Sequence, residues 1–428
     1  MKPETVYIWT CALRACFFAL VFTLSAVYRI EVAGLDALQL VLVGTMLEAA
    51  VFLFEIPTGL WADGTSRRLS VLIGYALIGV GFLVEGSLPI FGWILVAQVL
   101  WGVGFTFTDG AQTAWLSDEI GERHTGAALL RGAQAGHIGS LLGIGAAVVL
   151  GSWSLHLPIV LGGFLFLGLT GFLWQRMTET ARPTPVQVGP TVLDTDSRSR
   201  WLSSLGMASA LDTWRKGFAH VRGSTILPIL LAVSLFSGLS SEGMDRFWER
   251  QFLHSAGLPP LGELPPLYWF GLINAGAMLL SLGAAEVVRR RINLNLDWAV
   301  ALMLLLVNSL FTASIVVFAL SGEFALSLGA FFSFSLLRSV NEPVYEAWVN
   351  RHLTSGIRAT ILSVVSLMNS LGQIVGGPVI GWVAVTWSVP AALVFTAGLL
   401  VPVSGFYALA LLPAWRRRAD GDSADRKK

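Results

Sequence analysis

The chain has 428 residues, 54% of them hydrophobic and 13% charged, with a formal net charge of +1. A water-soluble chain of that length needs a far more polar surface, and a near-neutral charge leaves no footprint for nucleic acid, so both classes are set aside. The apolar residues are gathered instead into blocks long enough to cross a bilayer, which takes about 20 residues as a helix. In chain order there are twelve, at roughly 7–30, 38–61, 69–88, 90–115, 133–153, 157–174, 226–248, 266–288, 298–320, 324–348, 361–383 and 389–412. The expected class is an all-α membrane protein with the lipid bilayer as its surroundings.

The first block is full length, lacks a small-residue cleavage pattern and is read as a retained anchor. It holds both cysteines, Cys11 and Cys16, where neither a disulfide nor a metal spacing is expected. Between the sixth and seventh blocks the composition turns to Pro, Thr, Asp, Ser and Arg. Within that stretch Leu211, Trp214, Phe218 and Val221 recur at helical spacing beside Arg215, Lys216 and Arg222, the pattern of a helix lying in the membrane interface. With the N-terminus in the cytoplasm, most of the 28 Lys and Arg fall in inside segments, so both termini are expected there. The organisation is therefore read as a six-helix bundle over 1–176, a linker with an interfacial helix over 177–223, a second six-helix bundle over 224–413 and a basic tail over 414–428.

The halves repeat. A shift of 233 residues sets Asp109 on Glu342, Ala114 on Ala347, Trp115 on Trp348, Gly139 on Gly372 and Gly143 on Gly376. In the loop between the second and third blocks, Glu55, Gly59, Asp63, Arg67 and Arg68 form a Gly-x-x-x-Asp followed by Arg-Arg. Gly59 is suited to close backbone approach and Asp63 to accepting hydrogen bonds from a helix end. This loop resembles motif A of the major facilitator superfamily of secondary transporters, with Gly64 and Ser66 where the family usually has a basic residue and a Gly. The resemblance implies two pseudo-symmetric bundles of six helices and a cytoplasmic gating role for the loop. Gly143 and Gly145, with Gly372, Gly376, Gly377 and Pro378, are similar to the family's motif C; plain helix packing is the competing reading. In the fourth block Gln98 stands where drug/proton antiporters of the family carry a motif B arginine.

An ionisable side chain at mid-bilayer costs about 2.5–3.5 kcal/mol on insertion scales, so each one calls for a reason. Glu48, Asp109, Arg14, His137, Arg338 and Glu342 are the candidates for proton coupling or for lining the substrate cavity. Glu48 is read as a proton carrier. Asp109 and Glu342 are read either as ion-pair or gate residues or as proton and substrate handlers. Asp109 and Glu342 can be neutralised by Arg14 or by loop arginines, Arg14 is read as a counter-ion or as a ligand for an anionic substrate, Arg338 and Glu342 are spaced to pair along one helix, and His137 is either a packing residue or a relay. The segment from Glu55 to Gly59 and the Ala114-Trp115 pair look like efflux members of the superfamily. The expectation is a monomeric, proton-coupled exporter of amphiphilic organic compounds in the inner membrane of a bacterium, without cofactor, metal or catalytic residues. The alternative is an uptake carrier or uniporter for a sugar or organic acid, and a polytopic enzyme is a remote third, since no hydrolase or nucleotide-binding motif is present.

Overall fold

The computed structural model describes residues 1–180, 227–291, 297–351 and 358–412. The expected interfacial helix within 177–223 and the basic tail over 414–428 lie outside the described residues. Among the described residues twelve helices appear: α1 Pro3–Glu31, α2 Ala37–Gly64, α3 Arg67–Ser87, α4 Phe91–Ile120, α5 Glu122–Gly151, α6 His156–Arg176, α7 Leu227–Ala256, α8 Tyr268–Arg291, α9 Asp297–Leu320, α10 Phe324–Arg351, α11 Arg358–Thr386 and α12 Val389–Ala410. Eleven are long and apolar enough to cross a membrane; in α8 the apolar part is shorter, Tyr268–Ala284. Helices are the form these sequences must take in lipid, because each satisfies its own backbone polar groups.

Local chemistry sets the ends. Ser66 caps α3 by accepting from the Leu69 amide at 3.0 Å, and Ser388 caps α12 by accepting from Ala391 at 3.2 Å. In α4 the helix breaks at Asp109-Gly110, with Gly110 at φ +69°, and resumes as Ala111–Ile120.

The chain divides into two compact units, Met1–Leu35 with Met46–Leu211 and Asp36–Thr45 with Asp212–Lys428, so the first residues of α2 group with the second unit. Each unit has its own core. In the first, Phe17, Phe18, Phe82 and Phe166 pack with ring centroids 4.8 to 6.1 Å apart. In the second, Phe252 packs on Phe318 and Phe331, and Trp348 stands edge-on to Tyr407 at 5.8 Å.

The internal repeat has a structural counterpart. A Cβ on Gly139 or Gly143 of α5 meets the carbonyl of Ala12 or Cys16 in α1, and one on Gly372 or Gly376 of α11 meets the carbonyl of Leu235 or Leu239 in α7. The same two glycines thus let the fifth helix of each half lie backbone to backbone against the first. Trp115 and Trp348, the matched tryptophans, are each 2% exposed.

Candidate functional site

The loop between α2 and α3 is held by contacts from within the first unit. Arg67 donates to the Ala114 carbonyl at 3.1 Å, pairs with Asp118 on the second piece of α4, and lies 3.5 Å from Asp63. Arg68 donates to the Trp174 carbonyl at 2.6 Å and sits 5.4 Å from that ring. Glu179, just past α6, accepts from Ser66 Oγ and from the amides of Arg67 at 2.9 Å and Arg68 at 3.4 Å. A carboxylate there neutralises the free N–H groups that open α3. Two further contacts fasten the same end: Trp115 donates to the Thr178 carbonyl at 2.7 Å, and Glu119 accepts from the Thr180 amide. Gly59 has nothing within 4 Å of an added Cβ, so no backbone approaches it within the unit.

Inside the same unit, Tyr75 of α3 donates to Gln112 at 2.6 Å, and Arg14 of α1 interacts with Tyr75, Cys11, Tyr7 and Asp109. Asp109 lies at the α4 break and is within electrostatic reach of both Arg14 and Glu55. Among the described residues Arg14 and Asp109 make no ion pair, so they interact only at a distance. Unforeseen is an ion pair at the C-terminal end of α1, where Arg29 meets Glu85 of α3 at 2.7 Å, with side chains 6% and 0% exposed. Gln98 donates to the other Glu85 oxygen at 3.0 Å and accepts from Trp101 at 2.8 Å. The glutamine in the motif B place is therefore a support for a buried carboxylate.

The second unit holds a cavity of about 630 Å³ lined by α7, α9, α10, α11 and α12. Its lining combines polar groups, Ser234, Ser237, Ser241, Asn341, Asn369 and Gln373, with apolar ones, Met244, Phe311, Ile315, Phe334 and Leu400. Arg338 faces it and makes a two-pronged pair with Asp245 of α7, one arm at 3.1 Å, while its guanidinium lies 5.9 Å from the Phe334 ring. Its partner is Asp245 across the cavity rather than Glu342 on its own helix, because only the cross-helix geometry presents both carboxylate oxygens to the guanidinium fork. Glu342 also lines the cavity.

The structure brings Arg14, Asp109 and Glu55 together in one unit and Arg338 and Glu342 together in the other. Glu48 is half-buried on α2 and has a partner of its own, whereas His137 is exposed on α5. Gly145 faces open space, and Gly377 meets Thr45 and Val41 at the start of α2. Pro378 lies inside an uninterrupted α11. Asp245, Glu85, Asp118 and Glu179 were missed as site residues; the two acids in α3 and α7 carried the usable signal, a carboxylate that must find a cation in the bilayer.

Among the described residues, these helices define a multi-pass helical membrane fold. A mutant form of the nucleoside transporter NupG has a TM-score of 0.76 at 14% identity, over 96% of this chain and 100% of that one. A bacterial homolog of the human lysosomal transporter Spinster has a TM-score of 0.71 at 16% identity, over 98% and 97%. In sequence the chain is 20% identical over 370 residues, 86% of each protein, to YxaM of Bacillus subtilis (strain 168), described as an uncharacterized MFS-type transporter. No family model matches. In sequence and in fold the chain is thus similar to transporters of the major facilitator type, at identities of 20% and below.

Proposed function

We propose that this carrier exports amphiphilic organic solutes by alternating access in exchange for protons, as a monomer in the inner membrane of a bacterium with both termini cytoplasmic. The observation that carries the substrate class is the cavity of the second unit, whose lining combines serines and amides with the apolar side chains of Phe311, Ile315 and Phe334. An amphiphile satisfies both kinds of surface at once. The bundles over 1–176 and 224–413 are the moving parts, joined by the 177–223 linker, and the loop held by Arg67 and Arg68 is the gate. Glu48 and Asp109 are the proton carriers, since each is an acid set among apolar helices; a proton moving down the gradient supplies about 2.3 kcal/mol per 100 mV.

Uptake of a fluorescent amphiphile into inverted vesicles, with the proton gradient imposed and then collapsed, tests this. Gradient-dependent uptake that Glu48→Gln abolishes supports the reading, and uptake indifferent to the gradient overturns it. A second reading, uptake or uniport of a small polar solute such as a sugar, is favoured by the number of serine and amide groups in the lining and by the likeness to a nucleoside transporter. Saturable entry of such a solute into right-side-out vesicles, with no amphiphile export, would select it.

A further inference from the structure

The connection between α7 and α8, residues 257–267, holds one tetrapeptide twice. It reads Gly257-Leu258-Pro259-Pro260-Leu261-Gly262-Glu263-Leu264-Pro265-Pro266-Leu267, so Leu-Pro-Pro-Leu stands on either side of Gly262-Glu263. Leu261 and Leu264 bridge in antiparallel fashion, the Leu264 amide donating to the Leu261 carbonyl at 3.2 Å, and Gly262 takes φ +64° at the turn. The segment is a hairpin of two short arms. At the corresponding place in the first half, residues 32–36 suffice to join α1 to α2. Connections between packed helices ordinarily take about 2–8 residues, so the longer one calls for a use beyond joining.

The two arms have different surroundings. Leu258, Pro259 and Leu261 of the first are half-buried. Trp269, in the first turn of α8, pins that arm by donating to the Pro259 carbonyl at 2.8 Å, while its ring packs on Phe324 at 4.5 Å. In the second arm Pro265 and Pro266 are exposed and Leu264 is 51% exposed. Leucine laid bare in this way is unfavourable in water, and the backbone beneath it asks little of water. Pro265 and Pro266 have no N–H, and the carbonyls of Pro265, Pro266 and Leu267 accept from the amides of Tyr268, Trp269 and Phe270 at 3.0 to 3.1 Å. Apolar side chains over a satisfied backbone meet the condition for lying in lipid.

The arm's position in the chain agrees with this. Glu263 and Glu286 bracket a run without charge, and that run begins at Leu264, four residues ahead of α8. The arm leads into a helix whose exposed side is apolar, with Leu272 and Leu279, one heptad apart, 54% and 56% exposed.

We infer that the second arm, Leu264 to Leu267, docks into the interfacial layer of the leaflet at that end of α7 and α8, with the Glu263 carboxylate held outside among the headgroups. The lipid-facing side of α8 is thereby extended beyond the helix. The inference holds for any solute the protein carries.

The test places a nitroxide at Leu264→Cys, Glu263→Cys and Glu31→Cys in turn, in the full chain carrying Cys11→Ala and Cys16→Ala, in vesicles of phosphatidylethanolamine and phosphatidylglycerol. Glu31, an exposed charge at the end of α1 on the same side of the membrane, is the reference for water. Collision with oxygen, which concentrates in the bilayer, is compared with collision with a water-soluble nickel chelate. The oxygen-to-nickel ratio at Leu264 is expected to be several-fold above that at Glu31, with Glu263 close to Glu31. Equal ratios at Leu264 and Glu31 put the arm in water and overturn the inference. A label at Leu264 shielded from both reagents lies against protein, whether this chain or a partner, and overturns it too. Pro266→Cys, nearer α8 and expected to give a ratio at least as high as Leu264, decides the matter by the same outcomes if the melting curve shows that Leu264→Cys fails to fold.

Discussion

Each unit joins a cation on one helix to an acid on another, and the two pairs sit in opposite surroundings. Arg29 and Glu85 are 6% and 0% exposed, and Gln98 satisfies the remaining carboxylate oxygen. Arg338 and Asp245 are 47% and 33% exposed and line a cavity. The helix joints around them are alike, glycine on carbonyl in both halves, so the backbone repeats while the charges do not. The repeat therefore preserves how helices meet, and function is written in the side chains that fill the space between them.

Breaking the two pairs should tell these surroundings apart. Glu85→Leu strands the Arg29 guanidinium in an apolar interior and is expected to lower stability by about 3–5 kcal/mol, with most of that recovered in the Arg29→Met, Glu85→Leu double variant. Asp245→Asn leaves Arg338 partly exposed and should cost under about 1 kcal/mol while suppressing transport. Reversible unfolding in detergent, run beside vesicle flux, checks both. Equal stability losses in the two units would erase the distinction between a structural and a working pair.

The shared joints give the next effect. Gly143→Val and Gly376→Val each drive a side chain into a facing carbonyl and should destabilise by about 1–3 kcal/mol. Gly145→Val, two residues from the first joint, meets open space and should be close to neutral on the same unfolding measurement.

How much of this could be read from the chain follows from the range of each interaction. Helix number and order come from local hydropathy, and the glycine joints from a repeat visible at one offset. The motif A loop announced its arginines but not their partners. Glu179 lies 112 positions from Arg67, and Asp245 lies 93 from Arg338. Nothing in periodicity links residues so far apart, and a helix face names many possible neighbours. Arg338 and Glu342 looked like a pair because four-residue spacing is the only pairing rule a single sequence supplies. Gly59 and Gly145 show the converse limit: small residues mark where helices can approach, and only the packing shows where they do.

The smallest predicted effects fall on the loop, where the acids around Arg67 differ in hold. Glu179 receives three hydrogen bonds at the start of α3, Asp118 pairs directly with Arg67, and Asp63 is 52% exposed at 3.5 Å. Glu179→Gln is therefore expected to cost about 1 kcal/mol through weakened charge-assisted bonds and loss of the helix-end interaction. Asp63→Asn should change stability by less than about 0.5 kcal/mol, because a solvent-exposed ion pair at that distance contributes little. If Asp63→Asn nevertheless abolishes vesicle flux while melting at the wild-type temperature, its value lies in a conformation other than this one, and Arg67 is then shared between Asp118 and Asp63 as the gate moves. A variant that melts early instead would make Asp63 part of the loop's fixed frame, no different in kind from Glu179.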